Sequence, residues 1–130
     1  RNAALTTSFL DGKTTAHYSM SSPNNVRCVR GEYSVSTQNN FNRDNNGVVT
    51  DRITELQWQD SSAGWFKRGS WNSAIGYCEA LVLGGKNDWR LPNINELTSI
   101  VGYSAGGNNH TDKAFQTRMP LSWSSTTSSD

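Results

Sequence analysis

Cysteine and histidine are scarce in this chain: its 130 residues hold two of each. A structural zinc site normally takes four Cys or His ligands, and no CxxC is present, so that chemistry has almost no material. Long apolar runs are missing too. None approaches the ~20 residues of a membrane span, so no membrane insertion is expected. Charge is sparse, at 18% of residues with a formal net charge of +1, and it is scattered. That leaves no electrostatic footprint for nucleic acid. GxSxG, HExxH and glycine-rich phosphate loops are all absent, which lowers the expectation of an enzyme. Hydrophobic residues reach only 34%, below the usual ~45–50%, and Asn, Ser, Thr and Gly fill the deficit.

What is present suits one small, loop-rich globular domain. Five Trp, four Tyr and four Phe are more aromatic material than a disordered chain carries. A domain of this length buries roughly two thirds of its unfolded surface. The even cysteine pair and the polar, uncharged surface suit an exported protein with one disulfide, the alternative being two buried thiols.

The first third reads as β. Ala3 to Phe9 alternates loosely, Asp11-Gly12 is a hairpin signal, and Thr14 to Tyr18 is the return strand. Ser21 to Asn25 reads as a loop. In the strand Val26 to Arg30, Val26, Cys28 and Arg30 share one face while Arg27 and Val29 share the other. Val48 to Asp51 and Leu56 to Gln59 are further strands. Two helices follow. Ser70 caps one whose buried face is Trp71, Ala74, Ile75, Cys78 and Leu81, with Gly84-Gly85 as its stop. The second follows Pro92, with Asn93 and Glu96 as a capping box, apolar positions Ile94, Leu97, Ile100 and Val101, and Gly102 at its end. Gly102 to Pro120 lacks periodicity and reads as a long loop, the kind that carries function or moves. Leu121 to Thr126 closes as a strand.

Four features bear on chemistry. In Asp88-Trp89-Arg90-Leu91-Pro92-Asn93, Trp89 and Leu91 enter the core, and Arg90 needs an acceptor that Asp88 or Glu96 can supply. Structural use explains this string better than a ligand-binding Trp-Arg pair. Asn42, Asp44 and Asn46, with Gly47, have the alternate oxygen donors of a calcium loop, but Ile53 stands where the bidentate Glu belongs. A tight Asn-Gly turn accounts for the same letters. His110 lies two residues before Asp112, and Asn109-His110-Thr111 matches a glycosylation acceptor. Among the tryptophans, Trp58, Trp71 and Trp123 fall on core faces, whereas Trp65 sits in a loop and is the candidate for stacking on a ligand.

One resemblance connects these pieces. Gly47-Val48-Val49-Thr50-Asp51, Thr54 to Gln59, Tyr77-Cys78, the Asp88 to Pro92 string with Glu96-Leu97, and Trp123 to Thr126 together resemble the Lcl C-terminal domain family. That family is named after the C-terminal domain of a Legionella collagen-like adhesin. Its members usually carry Gly and Met where this chain has Glu55 and Gln57. The resemblance implies an α+β, C-type-lectin-like fold, related also to formylglycine-generating enzymes: two helices on short antiparallel sheets with a long loop region. Members usually finish with a strand like Val26 to Arg30, preceded by a hairpin like Ser8 to Gly12; here these come first. The expectation is a domain that is circularly permuted or strand-exchanged. Residues 1–31 would then complete this module or a neighbouring one, 32–40 would link, and 41–130 would form the lectin-like body. The fold also implies a disulfide between Cys78 on the first helix and Cys28 on the last-type strand, within one chain or between copies.

The function implied is a non-enzymatic, extracellular module of a bacterial surface fibre or adhesin array. Its partners would be copies of itself, and a glycan or matrix polymer held by Trp65, His110, Lys113 and Arg118. No cofactor is expected. One alternative is a self-contained monomeric lectin-like domain. The other is a formylglycine-generating-like oxidase, which needs a reactive cysteine pair.

Overall fold

Local sequence builds short strands here, and long-range pairing assembles them into two sheets. The computed structural model describes residues 2–8, 13–17, 19–21, 23–32, 40–60, 68–100 and 121–129. Strands β1 (Asn2–Ser8), β2 (Thr14–His17), β3 (Asn24–Asn25), β8 (Arg68–Gly69) and β9 (Leu121–Ser129) form one sheet, in the order β2-β1-β9-β3-β8. Strands β4 (Val29–Arg30), β5 (Phe41–Arg43), β6 (Val48–Asp51) and β7 (Gln57–Gln59) form the other, in the order β4-β7-β6-β5. Every pairing is antiparallel except that of β3 with β9, which is parallel through Asn25 and Ser122.

The body of the chain and its first residues close one sheet together. β1 runs antiparallel to β9 from Asn2 opposite Ser129 to Ser8 opposite Leu121, with one register shift between Ala4 and Thr6. That long partner carries β9 to Ser129, three residues past the strand end read from the sequence. β1 lies between β2 and β9, and its Ala3, Ala4, Thr6 and Thr7 are all buried. A strand covered on both faces need not show the clean alternation of a half-exposed one.

Helix α1 (Trp71–Ala80) starts where expected, with the Ser70 hydroxyl accepting from the Ser73 backbone N–H at 3.3 Å. It stops earlier than its glycines suggest. Leu81 turns extended at ψ 132, and Gly84 and Gly85, at φ 63 and 75, instead form the turn that lets Leu83 and Lys86 exchange backbone hydrogen bonds. Helix α2 (Ile94–Ser99) has the full capping box: Asn93 accepts from the Glu96 N–H at 2.8 Å and donates its own N–H to Glu96 at 2.9 Å. Helix α1 packs on β8 and β9, and α2 on β1 and β9.

Two hydrophobic clusters result among the described residues. Val29, Val49, Leu56, Trp58, Leu97 and Ile100 form one. Cys28, Cys78, Val26, Ala74, Trp89, Leu91 and Trp123 belong to the other. The stretch from Val26 to Val29 runs between them. Its alternation is as read, with Val26 and Cys28 on one side and Val29 on the other, but both sides are buried. Only Val29–Arg30 is strand, and the ladder to β8 is made one step earlier, at Asn24 and Asn25, which the sequence presents as loop. The α+β class therefore holds. Residues 33–39 of the expected linker lie outside the described residues.

Candidate functional site

The Asp88 to Glu96 string is a structural clamp. Trp89 and Leu91 are 2% and 4% exposed, and the Trp89 indole donates to the Leu83 carbonyl at 3.2 Å. The two sequence candidates for holding Arg90 are separated by the fold. Glu96 takes it, receiving both terminal nitrogens at 2.6 Å, and Arg90 also donates to the Gly31 carbonyl at 2.7 Å. Hydrogen bonding to Glu96 raises the Arg90 pKa from its ordinary value. Asp88 instead receives Arg30 at 2.6 and 3.0 Å. This pairing raises the Arg30 pKa and lowers that of Asp88. Pro92 accepts from the Ser125 N–H at 2.7 Å, and the Ile94 N–H donates to Thr126 at 2.8 Å, so the cap of α2 is tied to β9.

The Asp88 to Glu96 string belongs to the part of the chain that a known family describes. The model of the Lcl C-terminal domain matches residues 47–130. The chain belongs to the Lcl C-terminal domain family. Comparison with curated proteins and with solved structures finds no match. Membership makes the chain an adhesin-like module, and no helix among the described residues is long and apolar enough to cross a membrane.

Residues 24–31 precede the matched stretch and are fastened to it by three kinds of bond. The first is covalent. Cys28 and Cys78 are joined within the chain, with Cα atoms 5.4 Å apart and both side chains fully buried. The second is backbone: the Cys28 N–H donates to the Gln59 side chain at 3.2 Å, the Gln59 N–H donates to the Cys28 carbonyl at 2.9 Å, and Val29 and Arg90 exchange bonds at 2.9 and 2.8 Å. The third is ionic. Arg27, 1% exposed, donates to the Gln59 carbonyl at 2.9 Å and to Asp60 at 3.0 Å. Asp60 also accepts from Arg43, which is partly exposed. Burial lowers the Arg27 pKa, and the charge of Asp60 opposes that shift. Gln59 completes the cluster by donating to the Tyr77 hydroxyl at 2.7 Å.

Sequence reasoning named Cys28 and Cys78 but missed Arg27, Arg43, Gln59, Asp60 and Tyr77. The available signal was Arg27 itself: an arginine flanked by Val26 and Cys28 on a core strand demands a buried carboxylate. The Asn42, Asp44, Asn46 turn behaves as a hairpin turn, with Asp44 accepting from the Asn46 and Val48 N–H groups at 2.8 and 3.0 Å. Among the described residues no three His, Cys, Asp or Glu side chains gather as a metal site. The ligand candidates Trp65, His110, Lys113 and Arg118 lie outside the described residues.

Proposed function

We propose that this chain is a non-enzymatic, extracellular binding module of a bacterial surface adhesin, C-type-lectin-like in architecture, which presents Trp65, His110, Lys113 and Arg118 to a glycan or matrix polymer. The family match over residues 47–130 carries the reading. The disulfide adds support, because secreted domains use such bonds where cores are small. It also argues against the oxidase alternative: both cysteines of the chain are engaged in one buried bond, which leaves no thiolate nucleophile. The test is binding of the disulfide-bonded chain to arrayed glycans and matrix polymers. Binding that is lost on Trp65→Ala or on joint Lys113→Ala and Arg118→Ala supports the proposal; a blank array overturns it.

A second reading is assembly with copies of itself by strand exchange. Residues 1–31 contribute strands to both sheets, half of the disulfide and the Arg27 ion pair. A neighbouring copy could supply each of these with the same contacts. A non-reducing gel of native material separates the cases: a ladder that reductant collapses to 14.4 kDa means exchange, and a single monomer band means a closed module.

A further inference from the structure

We propose that Asn46 is a site of spontaneous, irreversible conversion to isoaspartate and aspartate, and that the isoaspartate form loosens the grip of Gln59 and Asp60 on residues 24–31. Asn46 is the one asparagine of the chain that is followed by glycine. Gly47 stands at φ 83 in the turn between β5 and β6, and it has no Cβ to keep its backbone nitrogen from the preceding side chain. Asn46 is exposed, and its side-chain amide makes no hydrogen bond among the described residues. Asp44 Oδ1 accepts from the N–H groups of Asn46 and Val48 at 2.8 and 3.0 Å, passing over that of Gly47 between them. The carboxylate thus anchors the turn without engaging the nitrogen that has to react. Asn93 is the contrast: its side chain is committed to the Glu96 N–H, and the branched Ile94 follows it.

The chemistry needs only water. The Gly47 amide nitrogen gives its proton to hydroxide and attacks the Asn46 Cγ. The Cγ–Nδ2 bond breaks, ammonia leaves with a proton taken from water, and a succinimide closes. Water then opens the ring at one of its two carbonyls. Attack at Cγ restores the ordinary backbone with an aspartate at position 46. Attack at the main-chain carbonyl leaves Gly47 joined through Cγ, which is isoaspartate, with one more methylene in the backbone. Either product carries a new carboxylate, so the formal net charge falls from +1 to zero. Only isoaspartate lengthens the turn, and the turn is tied to the clamp. The Gly47 carbonyl accepts from the Asp60 N–H at 2.7 Å, and Val48 pairs with Gln59. Gln59 and Asp60 are the residues that hold Arg27 and Cys28. An added methylene between positions 46 and 47 carries the Gly47 carbonyl off the Asp60 N–H, and a buried group that loses its partner is costly.

The experiment ages the full, disulfide-bonded chain in mildly alkaline buffer, beside the same chain unfolded in urea and beside Asn46→Gln, whose longer side chain has a larger ring to close. Isoelectric focusing and peptide mass mapping follow the product. One acidic species is expected, with the added mass confined to the peptide that holds Asn46. It should form within about tenfold of the rate in urea, and Asn46→Gln should not form it. A folded chain that keeps Asn46 intact while the unfolded chain converts, or that converts first at another asparagine, overturns the site. The isoaspartate form is then isolated and amide hydrogen exchange is read at Cys28, Gln59 and Asp60, with Glu96 and Leu97 of α2 as the internal reference. Exchange at the first three should rise about tenfold, with the α2 amides unchanged, and Asn46→Asp should stay within about threefold of the unaltered chain. Unchanged exchange at the three amides overturns the coupling to the clamp while the modification site stands. An equal rise in α2 overturns it too, by showing general destabilisation. Asn46→Asp matching the isoaspartate form assigns the effect to charge and overturns the role of the added methylene.

Discussion

Glu55 holds its backbone at φ 66, in the region that disfavours any residue with a Cβ, while its side chain is exposed. The family's usual glycine at this position now has a physical reason. Glu55→Gly removes the left-handed strain and should stabilise the domain by about 1 kcal/mol, after allowing for the added freedom of the unfolded chain. A rise in the urea midpoint at unchanged slope checks it. Gly31 next to it is the reverse case: at φ 106, a Cβ would sit 3.2 Å from the Glu55 carbonyl, so Gly31→Ala should destabilise. Asp88 brings a pH dependence. Its pKa is lowered chiefly by hydrogen bonding to Arg30, so the unfolded chain takes up that proton first as pH falls. The contribution is fully present above the unfolded carboxylate value and is lost as pH drops through the lower folded one, in the acid range. Asp88→Asn should flatten this part of the stability curve, measured by urea unfolding across that range.

At the scale of elements, the two helices show what caps are worth. Asn93→Ala removes the acceptor for the Glu96 N–H and should cost about 1 kcal/mol. Glu96→Ala should cost more, about 2 kcal/mol, because Glu96 is buried and serves both the Asn93 N–H and Arg90. Chemical denaturation of both variants tests the ranking, and equal losses would contradict the clamp. The helices were legible because period, cap and stop all lie within a few residues of one another. Where α1 ends was not: Leu81 turns away three residues before Gly84, at a position where the chain must come round to place Leu83 against the Trp89 indole. The strand ladder at Asn24 and Asn25 was invisible for a similar reason. No periodicity marks two asparagines as a strand; pairing with Arg68 and Gly69 does.

For the whole molecule, the bond between Cys28 and Cys78 closes 50 residues and should contribute about 4 kcal/mol in the chain-entropy model. Joint Cys28→Ala and Cys78→Ala should lower the melting midpoint by on the order of 10–20 °C, read by circular dichroism on heating. A change of only a few degrees would mean that the ion cluster and the β1–β9 seam hold residues 1–31 almost unaided. The sequence by itself determined what depends on neighbours along the chain: the α+β class, both helices and their N-caps, the Asp44 turn, the descent of Trp89 and Leu91 into the core, and the family. Only the tertiary structure decided that Glu96 rather than Asp88 takes Arg90, that Arg27 meets Asp60, and that both sides of the 26–29 stretch are buried. The reason is physical. Helix period and capping are short-range preferences that each residue carries with it. The partner of a buried charge is selected only when strands distant in sequence settle into the one register that covers the apolar faces and brings that charge onto its counter-ion.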